Sequence, residues 1–258
     1  MTPVIFVHML AFIFGACIGS FLNVCIYRIP AAVSIVHPGS RCPRCQTMIP
    51  FYDNIPIISY LLLMGRCRTC RTRISVRYPA IELLTGLFAV ACSVLFGPTL
   101  QSLAVFAFIA TLIVVTFIDL DHRIIPDAIS LPGIPIFFLF SFAVPGITWQ
   151  SSAAGILLGG GSLFAVAWGY QLLTGREGMG GGDIKLLAMI GAFVGWQGIL
   201  FTLFAASAIG TIIGVLAMIR SKKGMRMAIP FGPFLSVGAL IDLFFGREII
   251  AWYVGLIT

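Results

Sequence analysis

The sequence predicts an all-α polytopic membrane protein of about eight transmembrane helices, with a small cytoplasmic loop domain built on four cysteines. Three observations carry that prediction. Of 258 residues, 59% are hydrophobic and 10% are charged, where a soluble domain carries about 25% charged residues. Several apolar runs reach the roughly 20 residues that cross a bilayer core. No long segment alternates polar and apolar residues, so a β-barrel is not expected. Helices are then the remaining way to satisfy backbone groups in lipid.

Residues 1–27 form the first division, with a span over 4–27. The start, Met1-Thr2-Pro3-Val4, lacks a basic stretch, and its apolar run is too long for a cleavable signal, so it reads as a retained helix. Asn23, near a membrane face, is suited to bonding a neighbouring helix. Cys17 and Cys25 read as buried small hydrophobes.

Residues 28–79 form the second division, a polar loop. Its arginines, at 28, 41, 44, 66, 68, 71, 73 and 77, face one acid, Asp53. That excess places the loop in the cytoplasm and the N-terminus outside. Residues 80–258 form the third division, a membrane core. Its spans are expected over 80–96, 101–118, 128–144, 152–173, 184–196 and 198–219. A last span begins near Pro230 and ends near Phe245, and an apolar tail, 248–258, stays outside or in the interface. On this topology every Lys and Arg except Arg247 lies at the cytoplasmic face. The net charge of +7 is thereby explained by orientation, and no nucleic-acid partner is expected. No clear internal repeat is seen.

Within the loop, Cys42-Pro43-Arg44-Cys45 and Cys67-Arg68-Thr69-Cys70 are two CxxC pairs. Such spacing reads as a structural Zn2+ site, four soft thiolates closing a tetrahedral shell with no open position for water. Two disulfides or four free thiols are the alternatives, and a cytoplasmic location disfavours stable disulfides. The metal would order a segment with little apolar core of its own. Asp53 to Tyr60, between the pairs, is suited to a re-entrant or membrane-surface piece.

Asp119 and Asp183 each end or begin an apolar run on the cytoplasmic side. Ionisable residues at membrane depth are costly and point to function. Two such carboxylates can divide the roles of general acid and general base. Asp183 follows Gly178-Met179-Gly180-Gly181-Gly182, whose glycines permit close backbone approach; Gly180, Gly182 and Lys185 are candidates for meeting a substrate strand. The plainer readings are an N-cap for Asp183 with Lys185 snorkelling, an N-cap for Asp127, a solvated Asp121 and a surface His122. An ion-coupled membrane transporter with intramembrane carboxylates is the alternative function, although the edge position of both aspartates argues against it.

Seven stretches in register resemble the bacterial type IV prepilin peptidases, a GxGD family of membrane aspartic peptidases. They are Gly19-Ser20-Phe21-Leu22-Asn23-Val24 with Tyr27-Arg28-Ile29-Pro30, His37-Pro38, the cysteine loop, Arg77 to Gly86, Asp119 to Asp127, Gly178 to Lys185, and Pro230 to Phe234. The resemblance implies Asp119 and Asp183 as catalytic residues. It implies cleavage of prepilin and pseudopilin leaders at the cytoplasmic face of the bacterial inner membrane. The substrates would serve a type IV pilus, a type II secretion system or a competence system. It also implies methylation of the new N-terminus with S-adenosyl-L-methionine, an activity associated with the cysteine loop. No glycine-rich fingerprint for that cofactor occurs. Asn23, Arg77 and Glu82 are methyl-transfer candidates only because they border the loop.

Overall fold

The computed structural model describes residues 3–176, 180–220 and 230–255. Gly178, Met179 and the basic cluster of Lys222, Lys223 and Arg226 lie outside the described residues. The elements are α1 (Pro3–Arg28), a 3-10 turn (Phe51–Asn54), α2 (Ile58–Leu62), α3 (Arg77–Phe96), α4 (Leu100–His122), α5 (Asp127–Ser141), α6 (Trp149–Thr174), α7 (Gly181–Arg220) and α8 (Gly232–Gly255). The chain is thus all-α, and two isolated β-bridges are the extended pairing found among the described residues.

Among those residues, α1, α3, α4, α6 and α7 are long and apolar enough to cross a membrane. Several such helices make this a multi-pass membrane protein. Each of the eight expected spans overlaps a helix, and α7 holds two of them. The last helix, expected to end near Phe245, continues to Gly255.

The chain divides into two compact units, Met1–Val114 and Val115–Thr258. In the first, α1 and α3 pack antiparallel through small residues. A Cβ on Gly15 would fall 2.9 Å from the Gly86 Cα, and one on Gly19 would fall 2.7 Å from the Glu82 Cα. Asn23 Nδ2 donates to the carbonyls of Gly19 (3.2 Å) and Tyr78 (3.1 Å), the interhelical bond expected of it. These contacts fix one register: residue 23 beside 78, 19 beside 82, 15 beside 86. Close backbone approach of this kind drives helix association where lipid supplies no hydrophobic contrast. Cys25 is buried, but Cys17 is exposed, contrary to expectation, because it lies off the buried stripe of α1.

In the second unit, α6 and α7 cross with the Gly155 and Gly191 backbones in contact. The Ser152 hydroxyl donates to the Ala192 carbonyl. Three residues later α7 breaks at Gly195, whose φ of 77° is a left-handed value that favours glycine. The sequence placed this break near Trp196, and the structural reason is that glycine. The first half of α7 supplies much of the core: Leu186, Leu187, Met189, Ile190 and Phe193 are fully buried. Phe137 of α5 meets Phe193 edge-on at 5.8 Å.

Candidate active site

The α4 helix ends where Arg123 turns to a φ of 56° and its N–H bonds the Asp119 carbonyl at 2.9 Å. Asp119 therefore sits in the last turn, and its residue is 5% exposed. The α7 helix starts at Gly181, three residues before the predicted span, so Asp183 lies inside the first turn and is not the N-cap. Both belong to the second unit. Asp121 and His122 are exposed.

Two further backbone features frame this pair. The Gly232 N–H, at the start of α8, donates to Asp119 Oδ2 at 3.0 Å. A helix N-terminus presents free amides and a partial positive charge to such a carboxylate. Ile125, in the α4–α5 connection, fits between two glycines. A Cβ on Gly182 would lie 2.9 Å from Ile125 Cβ, and one on Gly232 would lie 3.3 Å from Ile125 Cδ1. The ends of α4, α7 and α8 are thus brought together by one isoleucine and two residues without side chains.

The three loop candidates separate. Gly180 is exposed with open space around it, while Gly182 packs on Ile125. Lys185 Nζ pairs with both oxygens of Asp127, at 2.7 and 2.8 Å. Asp127 is the first residue of α5, with no side-chain cap on that helix; its carboxylate ties α5 to α7, which corrects the N-cap reading. Sequence reasoning did not single out Gly232 or Ile125. The available signal was a glycine immediately before Pro233 at a helix start, where no turn conformation demands one.

In the first unit, Cys42, Cys45, Cys67 and Cys70 converge, their sulfurs all within 4.8 Å of one another. Cys42 and Cys70 sulfurs are 3.7 Å apart, and those of Cys45 and Cys67 are 4.0 Å apart. A tetrahedral Zn2+ with Zn–S bonds of about 2.3 Å needs sulfurs about 3.8 Å apart, so the four fit the ion. All four thiols are free. The two knuckles repeat one another. The Cys42 N–H bonds the Thr47 carbonyl as that of Cys67 bonds Thr72. Gln46 and Arg71 both take a φ of 57°, and bridges pair Arg41 with Met48 and Arg66 with Arg73. This short internal repeat was not recognised in the sequence, although Arg41, Cys42, Cys45, Thr47 and Ile49 align with Arg66, Cys67, Cys70, Thr72 and Ile74.

Hydrogen bonds from the Thr47 side chain and backbone lower the Cys45 thiol to about 6. Amides of Cys70 and Thr69 lower that of Cys67. For Cys70 the Thr72 amide favours the thiolate, yet desolvation and the other three sulfurs together push it up to about 11. Cys45 is thereby favoured as a thiolate, the form that binds metal. Arg68, within the second knuckle, forks onto Asp53 at 2.7 and 2.5 Å and lies 5.6 Å from the Tyr52 ring centroid. The knuckle is thus tied to the 3-10 turn.

Asn23 and Glu82 both have structural partners. Asn23 spends its amide on two carbonyls, and Glu82 Oε2 accepts from the Ile57 N–H at 2.7 Å.

Residues 13–96, including the four cysteines, match the bacterial peptidase A24 N-terminal domain, and residues 106–215, including both aspartates, match the type IV leader peptidase family. Among similar chains is a prepilin leader peptidase/N-methyltransferase of Aeromonas salmonicida (strain A449), 36% identical over 96% of this chain and 94% of that relative. Proteins of the same description from Pseudomonas putida and Pseudomonas aeruginosa are 34% and 35% identical, over 97% and 95% of this chain and 94% of each relative. No solved structure matches. These likenesses do not favour a transporter. With its helices, its cysteine cluster and its aspartates in the matched regions, the chain belongs to the type IV leader peptidase family.

Proposed function

We propose that the chain cleaves the leader peptide from prepilins and pseudopilins with Asp119 and Asp183, then N-methylates the new N-terminus. The observation that supports this reading is the convergence at Ile125 of the helix ends that carry Asp119 and Asp183, in a unit built of apolar helices. In such a pair one carboxylate takes a proton from water as its oxygen attacks the peptide carbonyl carbon. The other, carrying a proton, gives it to the carbonyl oxygen. The C–N bond then breaks, and the leaving amine takes a proton back from the pair. The Gly232 N–H holds Asp119 before substrate arrives, so the carboxylate need not reorganise during reaction. Gly180 faces the substrate, whereas Gly182 and Lys185 act by holding the helix ends together.

The peptidase core is residues 80–258, anchored with the first helix, 1–27, in the bacterial inner membrane. The loop 28–79 and both aspartates lie on the cytoplasmic side, as the arginine excess requires. Zn2+ on the four cysteines is structural and folds the loop. Methyl transfer rests on the description of the relatives, and S-adenosyl-L-methionine would supply the methyl group.

The test uses the purified protein in detergent with a prepilin, followed by mass. Loss of the leader is expected, and Asp119→Asn and Asp183→Asn each abolish it while thermal unfolding is unchanged. Retained cleavage in either variant overturns the assignment. One further methyl group on the product, appearing only with S-adenosyl-L-methionine, tests the second activity.

A further inference from the structure

The segment between the two cysteine pairs carries more exposed apolar surface than a water-facing loop. Phe51 is 87% exposed, Leu62 76% and Met64 85%, with Ile58 and Leu61 also more than half exposed. Its backbone nevertheless reaches far along the helices of its unit. The Ile57 N–H is bound by buried Glu82, which lies more than a turn into α3. Asn54 and Pro56 line a cleft with Cys17, Ser20 and Phe21 of α1. Ser20 precedes Arg28, the end of α1, by eight residues, or about 12 Å of helix. A hydrocarbon core is about 30 Å thick, so this level lies within it when α1 spans.

Irregular backbone at that depth survives only if its polar groups are satisfied by protein, and several of them are. Glu82 takes the Ile57 N–H. The Ser59 hydroxyl accepts from the Ile55 N–H at 3.2 Å and donates to the Tyr52 carbonyl at 2.9 Å. The Asp53 N–H bonds the Pro50 carbonyl. Immediately after the apolar stretch come Arg66, Arg68, Arg71 and Arg73, cations suited to anionic headgroups.

We propose that residues 51–64 form a re-entrant element whose exposed apolar side chains contact lipid acyl chains, continuous with the lipid-facing surfaces of α1 and α3. Glu82 is then a buried acceptor that makes the dip possible, and the cysteine knuckles sit against the headgroups. The inference rests on the chain being membrane-spanning, not on its peptidase chemistry.

The full chain, reconstituted in phosphatidylcholine–phosphatidylglycerol vesicles containing a phospholipid with an acyl-chain diazirine, is irradiated and digested with trypsin. The peptide Cys45–Arg66 is expected to carry lipid adducts within residues 51–64, as peptides of the spanning helices do. Leu62→Asp is expected to lose the adduct from this peptide alone. Absence of adducts there while the helices are labelled overturns the proposal.

Discussion

Replacing Gly232 with Ala separates two physical effects by sign. Gly232 has no left-handed φ and opens α8, so helix propensity alone makes alanine stabilising by about 1 kcal/mol. The site argues the other way. The added Cβ would stand 2.6 Å from Asp119 Oδ2 and 3.3 Å from its Cγ, well inside contact distance for the oxygen. Either the carboxylate turns or the start of α8 retreats, and both break the 3.0 Å bond from the Gly232 N–H. A hydrogen bond to a charged group contributes about 1.5–3 kcal/mol. If that loss falls on the transition state, kcat/KM drops about 10- to 150-fold at 1.36 kcal/mol per decade. Prepilin cleavage is measured by mass under kcat/KM conditions, with thermal unfolding of the same preparation as control. The expected result is slower cleavage with a Tm lowered by less than the rate loss implies, because the gain in helix propensity offsets part of the lost bond. Cleavage within twofold of the parent would refute the placement of Asp119 against α8, and a matched fall in Tm would show that the residue serves folding alone.

Lys185→Ala is expected to cost no more than about fivefold in kcat/KM, since partly exposed ion pairs contribute at most about 1 kcal/mol; the exchanged pair, Asp127→Lys with Lys185→Asp, restores the rate, whereas a substrate-reading lysine would not be rescued. The purified protein is expected to hold about one zinc per chain, lost in Cys42→Ser or Cys67→Ser, with metal content and protease resistance of the loop as readouts. Asp53 is held below its ordinary value of 3.8 by the Arg68 hydrogen bond and charge. Its contribution to loop order is therefore complete above that ordinary value and is lost as pH falls through the lowered one. Asp53→Asn should loosen the loop by a constant amount from about pH 7 to 5, measured by hydrogen exchange of peptides around residue 53, and a difference that changes across that range counts against the pairing.

Composition and run length determined the all-α membrane class, because lipid leaves a chain this apolar few ways to satisfy its backbone. The cysteine spacing determined the cluster, because each CxxC fixes two sulfurs on one tight turn. The two aspartates were legible as costly charges at helix ends, and the interhelical bond of Asn23 was legible as a polar residue in an apolar run. What the residues alone left open was who meets whom. Asp127 reads as a cap until α7 brings Lys185 to it. Cys17 and Cys25 look alike until folding buries Cys25 and leaves Cys17 exposed. Gly182 and Gly232 look like flexible loop residues until Ile125 and Asp119 are seen pressed against them. Local sequence specifies helices because their hydrogen bonds are local, but 113 residues separate Asp119 from the amide that holds it, and only the packing of α4, α7 and α8 closes that distance.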